Sequence, residues 1–241
     1  MNLIQKHILS FFAILLICTS IGNAQKPLGT WNILNTKYNF DKHLSIWTEG
    51  QLRSIQFIDE FFYYEAKAGI NYSLKDHITL TAAIGHYATY TLGGNFVEPL
   101  TTTEARTWLQ LIMEQKWDRI NFEHRYRIEQ RHLSTGYKNR VRYRLNAVIP
   151  INHPETSPKT FYAYIGDEIF IGFTAPFYER NRFYAGLGYQ VSQVFTIQSG
   201  YIRQYDYKIT SELSRHFLQT ALFINLNPED LHKHSVPSTS D

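Results

Sequence analysis

The sequence predicts an all-β protein, an antiparallel up-and-down transmembrane β-barrel of about ten strands, with twelve strands as the alternative. Polar and apolar residues alternate at a period of two along most of the chain, and residues 120–150 show this most clearly. There one face carries Arg and Glu, while the opposite face carries aromatic and aliphatic groups. A charged inner face and an apolar outer face are typical of a barrel whose strands alternate between lumen and lipid.

Residues 120–150 are predicted to form a hairpin of two long strands joined by a polar loop at residues 134–139. The charged face of the first strand carries Glu123, Arg125, Arg127, Glu129 and Arg131, and that of the second carries Arg140, Arg142, Arg144 and Asn146. A soluble barrel or sandwich with the two faces exchanged is the alternative for this hairpin, because alternation alone does not say which face is inside.

Residues 1–24 have the features of a secretory signal peptide. Lys6 precedes an apolar run at residues 8–17 that is too short to span a bilayer, and small residues follow at 22–24. The one cysteine, Cys18, lies inside this segment, so the mature chain is expected to lack disulfides and to depend on a large closed fold. We therefore expect a barrel over residues 25–226 and a disordered C-terminal tail over residues 227–241.

The composition favours the outer membrane as the location of the exported chain. Aromatic residues make up 15% of the sequence while the mean hydropathy is only −0.31, and no mature segment reaches the roughly 20 apolar residues of a transmembrane helix. The net charge of +3 is spread over both signs, so no nucleic-acid partner is expected. The expected partners are outer-membrane lipid and small anionic solutes. No cofactor or metal is expected, and the oligomeric state is left open.

The remaining elements follow the same alternation. Strands are expected at residues 44–53, 62–72, 78–90, 103–116, 161–171, 182–191, 195–205 and 215–226. Residues 29–40 form a weak first strand that is interpreted as an N-terminal plug or an extra strand, because both ends of an even-numbered barrel should lie on the same side. Gly186 and Gly188 leave room on the inner face for a bulky neighbour or for tighter curvature.

The predicted connections alternate in length. Tight turns near Asp41, Lys75, Trp117 and Ser192 are assigned to the periplasmic side, and the longer loops between them to the external side, with residues 152–159 as the exception.

A network of charges in the lumen is the strongest candidate site. Its members are Glu104, Arg106, Glu114, Glu123, Arg125, Arg127, Glu129, Arg131, Arg140, Arg142, Arg144, Glu168 and Arg182. One interpretation is a salt-bridged plug that fills a narrow barrel, since buried charges have to be paired. The other is a ladder of arginines that selects anions in a pore or binds a small ligand.

Enzymatic activity is not expected, and the alternative is an outer-membrane lipid hydrolase. Such a site needs serine, histidine and an orienting group close in space, whereas His86, His124, His132 and His216 fall on outward or rim positions. No G-x-S-x-G motif precedes a helix. His232 and His234 are assigned to the disordered tail and not to a metal site.

Six segments along the mature chain resemble the DUF2490 family of Bacteroidetes-type bacteria. They are GTWN, EARTW, RYRIEQR, RVRYRL, DEIF and NRFYAGLGY, which begin at residues 29, 104, 125, 140, 167 and 181. The resemblance implies an outer-membrane barrel whose molecular function is not established, so it assigns no catalytic residues.

Overall fold

The structure, a computed structural model, describes residues 27–97, 99–208 and 211–227. Eleven strands in this part of the chain form one closed barrel. They are β1 (Leu28–Asn39), β2 (Leu44–Gln56), β3 (Asp59–Lys75), β4 (Ile78–Tyr90), β5 (Leu100–Trp117), β6 (Ile120–Leu133), β7 (Gly136–Pro150), β8 (Thr160–Gly172), β9 (Tyr178–Gln190), β10 (Phe195–Lys208) and β11 (Ser211–Leu226). The predicted signal peptide and all of the predicted tail beyond residue 227, with its two histidines, lie outside the described residues.

The closed barrel of mostly antiparallel strands confirms the predicted fold class, but the strand count differs from both ten and twelve. Strands that are consecutive in sequence pair antiparallel, and β1 closes the ring by pairing parallel with β11, from Leu28 opposite His216 to Tyr38 opposite Leu226. An odd number of up-and-down strands makes the first and last run in the same direction, so the closing pair has to be parallel. Residues 29–40 thus belong to the wall.

The barrel has two ends that differ in what they carry. The first end holds the start of β1 and the connections at residues 57–58, 91–99, 134–135 and 173–177, and the second end holds the end of β11 and the connections at 40–43, 76–77, 118–119, 151–159 and 191–194. The four tight turns predicted near Asp41, Lys75, Trp117 and Ser192 all lie at the second end, together with the predicted exception, the long connection at 151–159. Two connections that were predicted to be longer, at 57–58 and 134–135, have only two residues each. The strands extend into two segments predicted as loops, since β2 continues to Gln56 and β7 begins at Gly136.

Local chemistry explains two of the short turns. Gly136 has a φ of 131° at the start of β7, a backbone conformation that favours glycine. In the β1–β2 turn, the backbone N–H groups of Leu44 and His43 donate to the Asp41 carboxylate over 2.7 and 2.6 Å, which lowers the pKa of Asp41. A short polar connection stabilised in this way lets the chain reverse without apolar packing.

The wall is apolar outside and largely polar inside. The exposed outer positions include Leu34, Ile46, Leu52, Ile70, Leu80, Ile84, Leu109, Ile128, Phe161, Ile165, Leu187 and Ile197. Among the described residues, no helix combines the length and apolar character needed to cross a membrane.

The interior has an aromatic part beside the charged one. Trp31, Ile33, Tyr162, Tyr164, Tyr184, Ile202, Phe217 and Phe223 are buried together where β8 to β11 and β1 face the lumen. Three of the tyrosines lie over glycines of neighbouring strands: a Cβ placed on Gly188 would be 2.1 Å from Tyr162, and one on Gly186 would be 2.6 Å from Tyr164. The room predicted at these glycines is therefore taken by tyrosine rings.

Candidate functional site: the charged lumen

The structure brings the predicted charge network together inside the barrel, with one exception. Eleven of the thirteen predicted residues are buried, and only 14% of the Arg131 side chain is exposed. Glu114 lies toward the second end of β5 and is exposed. Alternation along β5 to β9 turns the other charges to the same side of the wall, which is why they meet.

Glu129 is the most enclosed carboxylate of the network. It has no exposed surface, and it accepts hydrogen bonds from Nε and Nη2 of Arg140 at 2.9 and 2.5 Å and from Nη1 of Arg142 at 2.7 Å. Arg127 and Arg106 lie 3.5 and 3.7 Å away. The strand register produces the first contact, because Glu129 lies directly opposite Arg140 across the β6–β7 pair.

Glu168 is the second centre, and Arg142 links it to the first. Arg142 donates to Oε1 of Glu168 from Nε at 2.9 Å and from Nη2 at 2.7 Å, while its Nη1 bonds Glu129. Arg125 reaches the same carboxylate at 2.6 Å, and Arg182 lies 3.7 Å from it. Guanidinium groups suit this role because their planar donors reach two carboxylates at once.

Two smaller clusters continue the network along the barrel. Near the first end, Glu104 accepts from Arg106 at 2.7 Å and from Arg131 at 2.7 and 2.9 Å. Toward the second end, Arg144 donates to Glu123 at 2.5 Å. The ion pairs therefore run through most of the length of β5 to β7.

The network also contains residues that the predicted site did not include. Arg53 and Lys67 pair with Glu65 at 3.0 and 2.9 Å, and Lys67 also contacts Glu49. The alternation placed all four on the polar face of β2 and β3, so the signal was present in the sequence. At β9 and β10, Asp206 pairs with Arg180 and with Arg215, the latter at 3.4 Å. Arg180 and Asp206 lie just beyond the predicted strand ends at 182 and 205.

Basic groups exceed acidic groups among the described lumen ion pairs. Twelve cations, Arg53, Lys67, Arg106, Arg125, Arg127, Arg131, Arg140, Arg142, Arg144, Arg180, Arg182 and Arg215, share the eight carboxylates of Glu49, Glu65, Glu104, Glu123, Glu129, Glu168, Glu179 and Asp206. Neutral amides supply further acceptors: Gln110 accepts twice from Arg127, and Gln204 accepts from Arg182 at 3.0 Å.

Aromatic rings hold several of the arginines as well. The Arg182 guanidinium lies 4.8 Å from the Trp31 ring and 4.7 Å from the Phe170 ring, and that of Arg53 lies 3.4 Å from Trp31. Trp31 in turn donates from Nε1 to Gln51 at 2.7 Å. Cation–π contacts of this kind stabilise buried guanidinium groups without neutralising their charge.

A cavity of about 120 Å³ lies in the lumen near the first end. Its lining comprises Arg53, Arg106, Arg131, Arg140, Arg142, Arg180, Arg182, Glu65, Glu104, Tyr63, Tyr87, Thr89 and Thr102. Toward the second end, side chains such as Tyr162, Tyr164 and Val148 fill the lumen and are almost fully buried. The cavity itself is lined mainly by arginine.

The histidines considered for catalysis contact tyrosines. Nδ1 of His124 lies 2.9 Å from the Tyr143 hydroxyl, and Nδ1 of His216 lies 2.5 Å from that of Tyr201. His86 and His132 pack against Tyr64 and Tyr137. Within the described ranges, no group of three or more His, Cys, Asp or Glu residues is arranged to hold a metal ion.

These features define a class of protein: a closed β-barrel with an apolar exterior and an ion-paired Arg/Glu interior. The chain belongs to the family described as protein of unknown function (DUF2490), whose profile matches residues 28–215, and this confirms the resemblance noted in the sequence. A comparison with curated proteins finds no match.

Proposed function

We propose that the protein is an outer-membrane β-barrel whose lumen is closed by the Arg/Glu network, so that its role is structural or that of a narrow channel at most. The observation that carries the proposal is the inversion of the wall, with charges buried inside and large apolar groups exposed outside. Leu109 and Ile84 keep 63 and 61% of their surface exposed near the middle of their strands, and Leu187, three residues before the end of β9, keeps 60%. A band of this kind around the barrel favours lipid over water as its surroundings.

The outer face also carries polar groups that lipid would have to accommodate, among them the pairs Asn32–Thr220, Thr107–Gln130, Arg203–Ser214 and Asp167–Asn181. Asp167 faces outward on β8 and accepts a hydrogen bond of 2.7 Å from Nδ2 of Asn181 on β9. Pairing one polar group with another reduces the free-energy penalty of placing either in an apolar medium. The pair is therefore compatible with a membrane location.

A closed lumen is supported by the way the interior is filled. Arginines that each contact carboxylates, amides or aromatic rings are held in place, so they leave little room for a continuous water path. The interior of a small barrel is normally filled by side chains in this way. The predicted signal peptide supports export, outer-membrane lipid is the proposed surrounding partner, and no enzymatic activity is proposed.

A single substitution distinguishes lipid from water around the barrel. Leu109→Arg is expected to impair membrane insertion by about 2 to 4 kcal/mol if the residue lies near the midplane of the bilayer. Leu109→Phe is the matched control and should insert normally. Fractionation and heat-modifiable gel migration report the folded, inserted form. A soluble periplasmic location, with Leu109→Arg tolerated as well as Leu109→Phe, would contradict the proposal.

The second candidate function is a narrow anion path, which the excess of basic over acidic groups favours. In that case ions would pass along the arginines from the first end to the second. A measurement of ion conductance across a planar bilayer distinguishes this anion path from a closed lumen.

A further inference from the structure

We propose that the cavity near the first end is a binding site for a tetrahedral oxyanion, a phosphate or sulfate group. The group would come either as the free ion or as the head of a larger molecule. This inference does not depend on whether the rest of the lumen conducts ions, because it concerns one end of the barrel.

Charge balance supports an anion in the cavity. Seven arginines and two glutamates line it, and the carboxylates behind them are shared, with Glu129 serving both Arg140 and Arg142. Arg182 has its closest carboxylate oxygen at 3.7 Å and donates instead to the neutral Gln204. Buried positive charge in excess of the available carboxylates is costly in a medium of low polarity, and a bound anion would offset that cost.

An unused donor points to the same ligand. The hydroxyl of Tyr87 is buried and has no hydrogen-bond partner among the described residues, and Tyr87 lines the cavity. Buried hydroxyl groups are normally satisfied, so one without a partner next to a cavity indicates a missing acceptor. Thr89 and Thr102 bring two more hydroxyls to the lining.

Size and geometry select the class of anion. A volume of about 120 Å³ is large enough for several water molecules or for one small oxyanion. The arginines come from β2, β5, β6, β7 and β9, so their donors approach from several directions. A tetrahedral group presents acceptor oxygens in all directions, whereas a planar carboxylate presents them in one plane, and guanidinium forks bind phosphate in a bidentate manner.

The site has a route to solvent at the first end. The side chains of Arg131 and Arg180 are 14 and 27% exposed at this end. Tyr162 and Tyr164 are buried in the lumen toward the second end, so the ligand would reach the cavity from the first end.

The test is a titration of the refolded full barrel in detergent micelles with inorganic phosphate, at constant ionic strength set with chloride and followed by calorimetry. We expect saturable binding and competition by sulfate. Tyr87→Phe should weaken binding about tenfold, because it removes one hydrogen bond to a charged ligand. Arg182→Gln should weaken it by at least the same factor.

Arg203→Gln is the matched control, since Arg203 lies on the outer face of β10, bonds Ser214 and carries the same charge. It should bind phosphate as the wild type does. Heat-modifiable migration shows that each barrel is folded. If Arg182→Gln fails to fold, Tyr87→Phe alone tests the proposal. Replacing a tyrosine with a purely structural role would leave the affinity for phosphate unchanged.

Glycerol phosphate in a parallel titration identifies the source of the group. Tighter binding of inorganic phosphate indicates a free ion, and tighter binding of glycerol phosphate indicates the head of a larger molecule. The proposal would be overturned if the folded wild type did not bind phosphate, or if Tyr87→Phe and Arg182→Gln bound phosphate as tightly as the wild type does. Failure here leaves the closed-lumen proposal intact, because that proposal is tested by conductance.

Discussion

Glu129 shows at the scale of one residue how the interior tolerates charge. It is fully buried, yet both of its oxygens accept hydrogen bonds from arginine, and further guanidinium groups lie within 4 Å. The arrangement stays favourable only while every member is present, because removing one partner leaves an uncompensated buried charge.

Glu129→Gln should therefore lower the free energy of unfolding by about 3 to 5 kcal/mol, since two arginines would lose their charged acceptor. Glu155→Gln is the control, because the Glu155 side chain, paired with Lys116, is 49% exposed and such surface pairs contribute about 0 to 1 kcal/mol. Denaturant unfolding in micelles measures both. Equal, small effects would mean that water fills the lumen around Glu129.

The glycines beneath the tyrosine rings lead to a second prediction. Gly188→Ala should destabilise the barrel by about 1 to 3 kcal/mol, because the added methyl group would overlap the Tyr162 ring. Gly50→Ala has open space around it and should be neutral or stabilising by up to about 1 kcal/mol. Thermal unfolding of the two variants compares them directly. If Gly188→Ala were as stable as Gly50→Ala, the ring would not lie over the glycine.

Much of the residue-scale site was predictable from alternation alone, because a period of two assigns each side chain to a face. It placed Glu123 to Arg131 and Arg140 to Arg144 inside without knowledge of the fold. It missed the pair of Arg180 and Asp206, since both lie at strand ends where the pattern stops. It did not predict which charges would meet across strands, because pairing depends on register.

At the scale of elements, β1 decides how the barrel closes. Its local sequence alternates weakly and predicts either a plug or an extra strand. The structure confirms the extra strand, because β1 pairs with β2 on one side and with β11 on the other. No local pattern distinguishes a parallel closing strand from an antiparallel one. The strand count could therefore not be obtained from the sequence, although ten of the strand positions could.

Cross-linking tests this closure. Asn32 and Thr220 face each other across β1 and β11, and the Thr220 hydroxyl donates to Asn32 at 2.7 Å. The double variant Asn32→Cys with Thr220→Cys should form a disulfide, detected as a shift on a non-reducing gel. The control pair Leu52→Cys with Thr220→Cys flanks β1, so its members are about two strand spacings, or roughly 9.5 Å, apart and should not cross-link. Cross-linking of the control pair alone would indicate a ten-stranded ring.

The loops show which part of the connections was predictable at this scale. The tight turns lie at one end as the sequence predicts, with the expected exception at 151–159, but the connections at 57–58 and 134–135 are shorter than predicted because β2, β3, β6 and β7 extend into them. Strand ends depend on pairing with the neighbouring strand, and that information is not contained in a run of polar residues.

For the whole molecule, the interior combines a charged half and an aromatic half. The aromatic side chains of β1 and β8 to β11 pack together in one part of the lumen, and most of the ion pairs join β2 to β9, with Asp206 and Arg215 adding a pair on β10 and β11. A basic cavity lies near the first end. The proposed function requires that this interior leave at most a narrow path for ions.

Planar-bilayer conductance of the purified, heat-modifiable barrel tests this claim most directly. A lumen filled by the network and the tyrosines should give no stable large conductance steps, because it would leave no wide path for ions. Large, anion-selective steps from a correctly folded barrel would contradict the proposed function and would favour an open ladder of arginines.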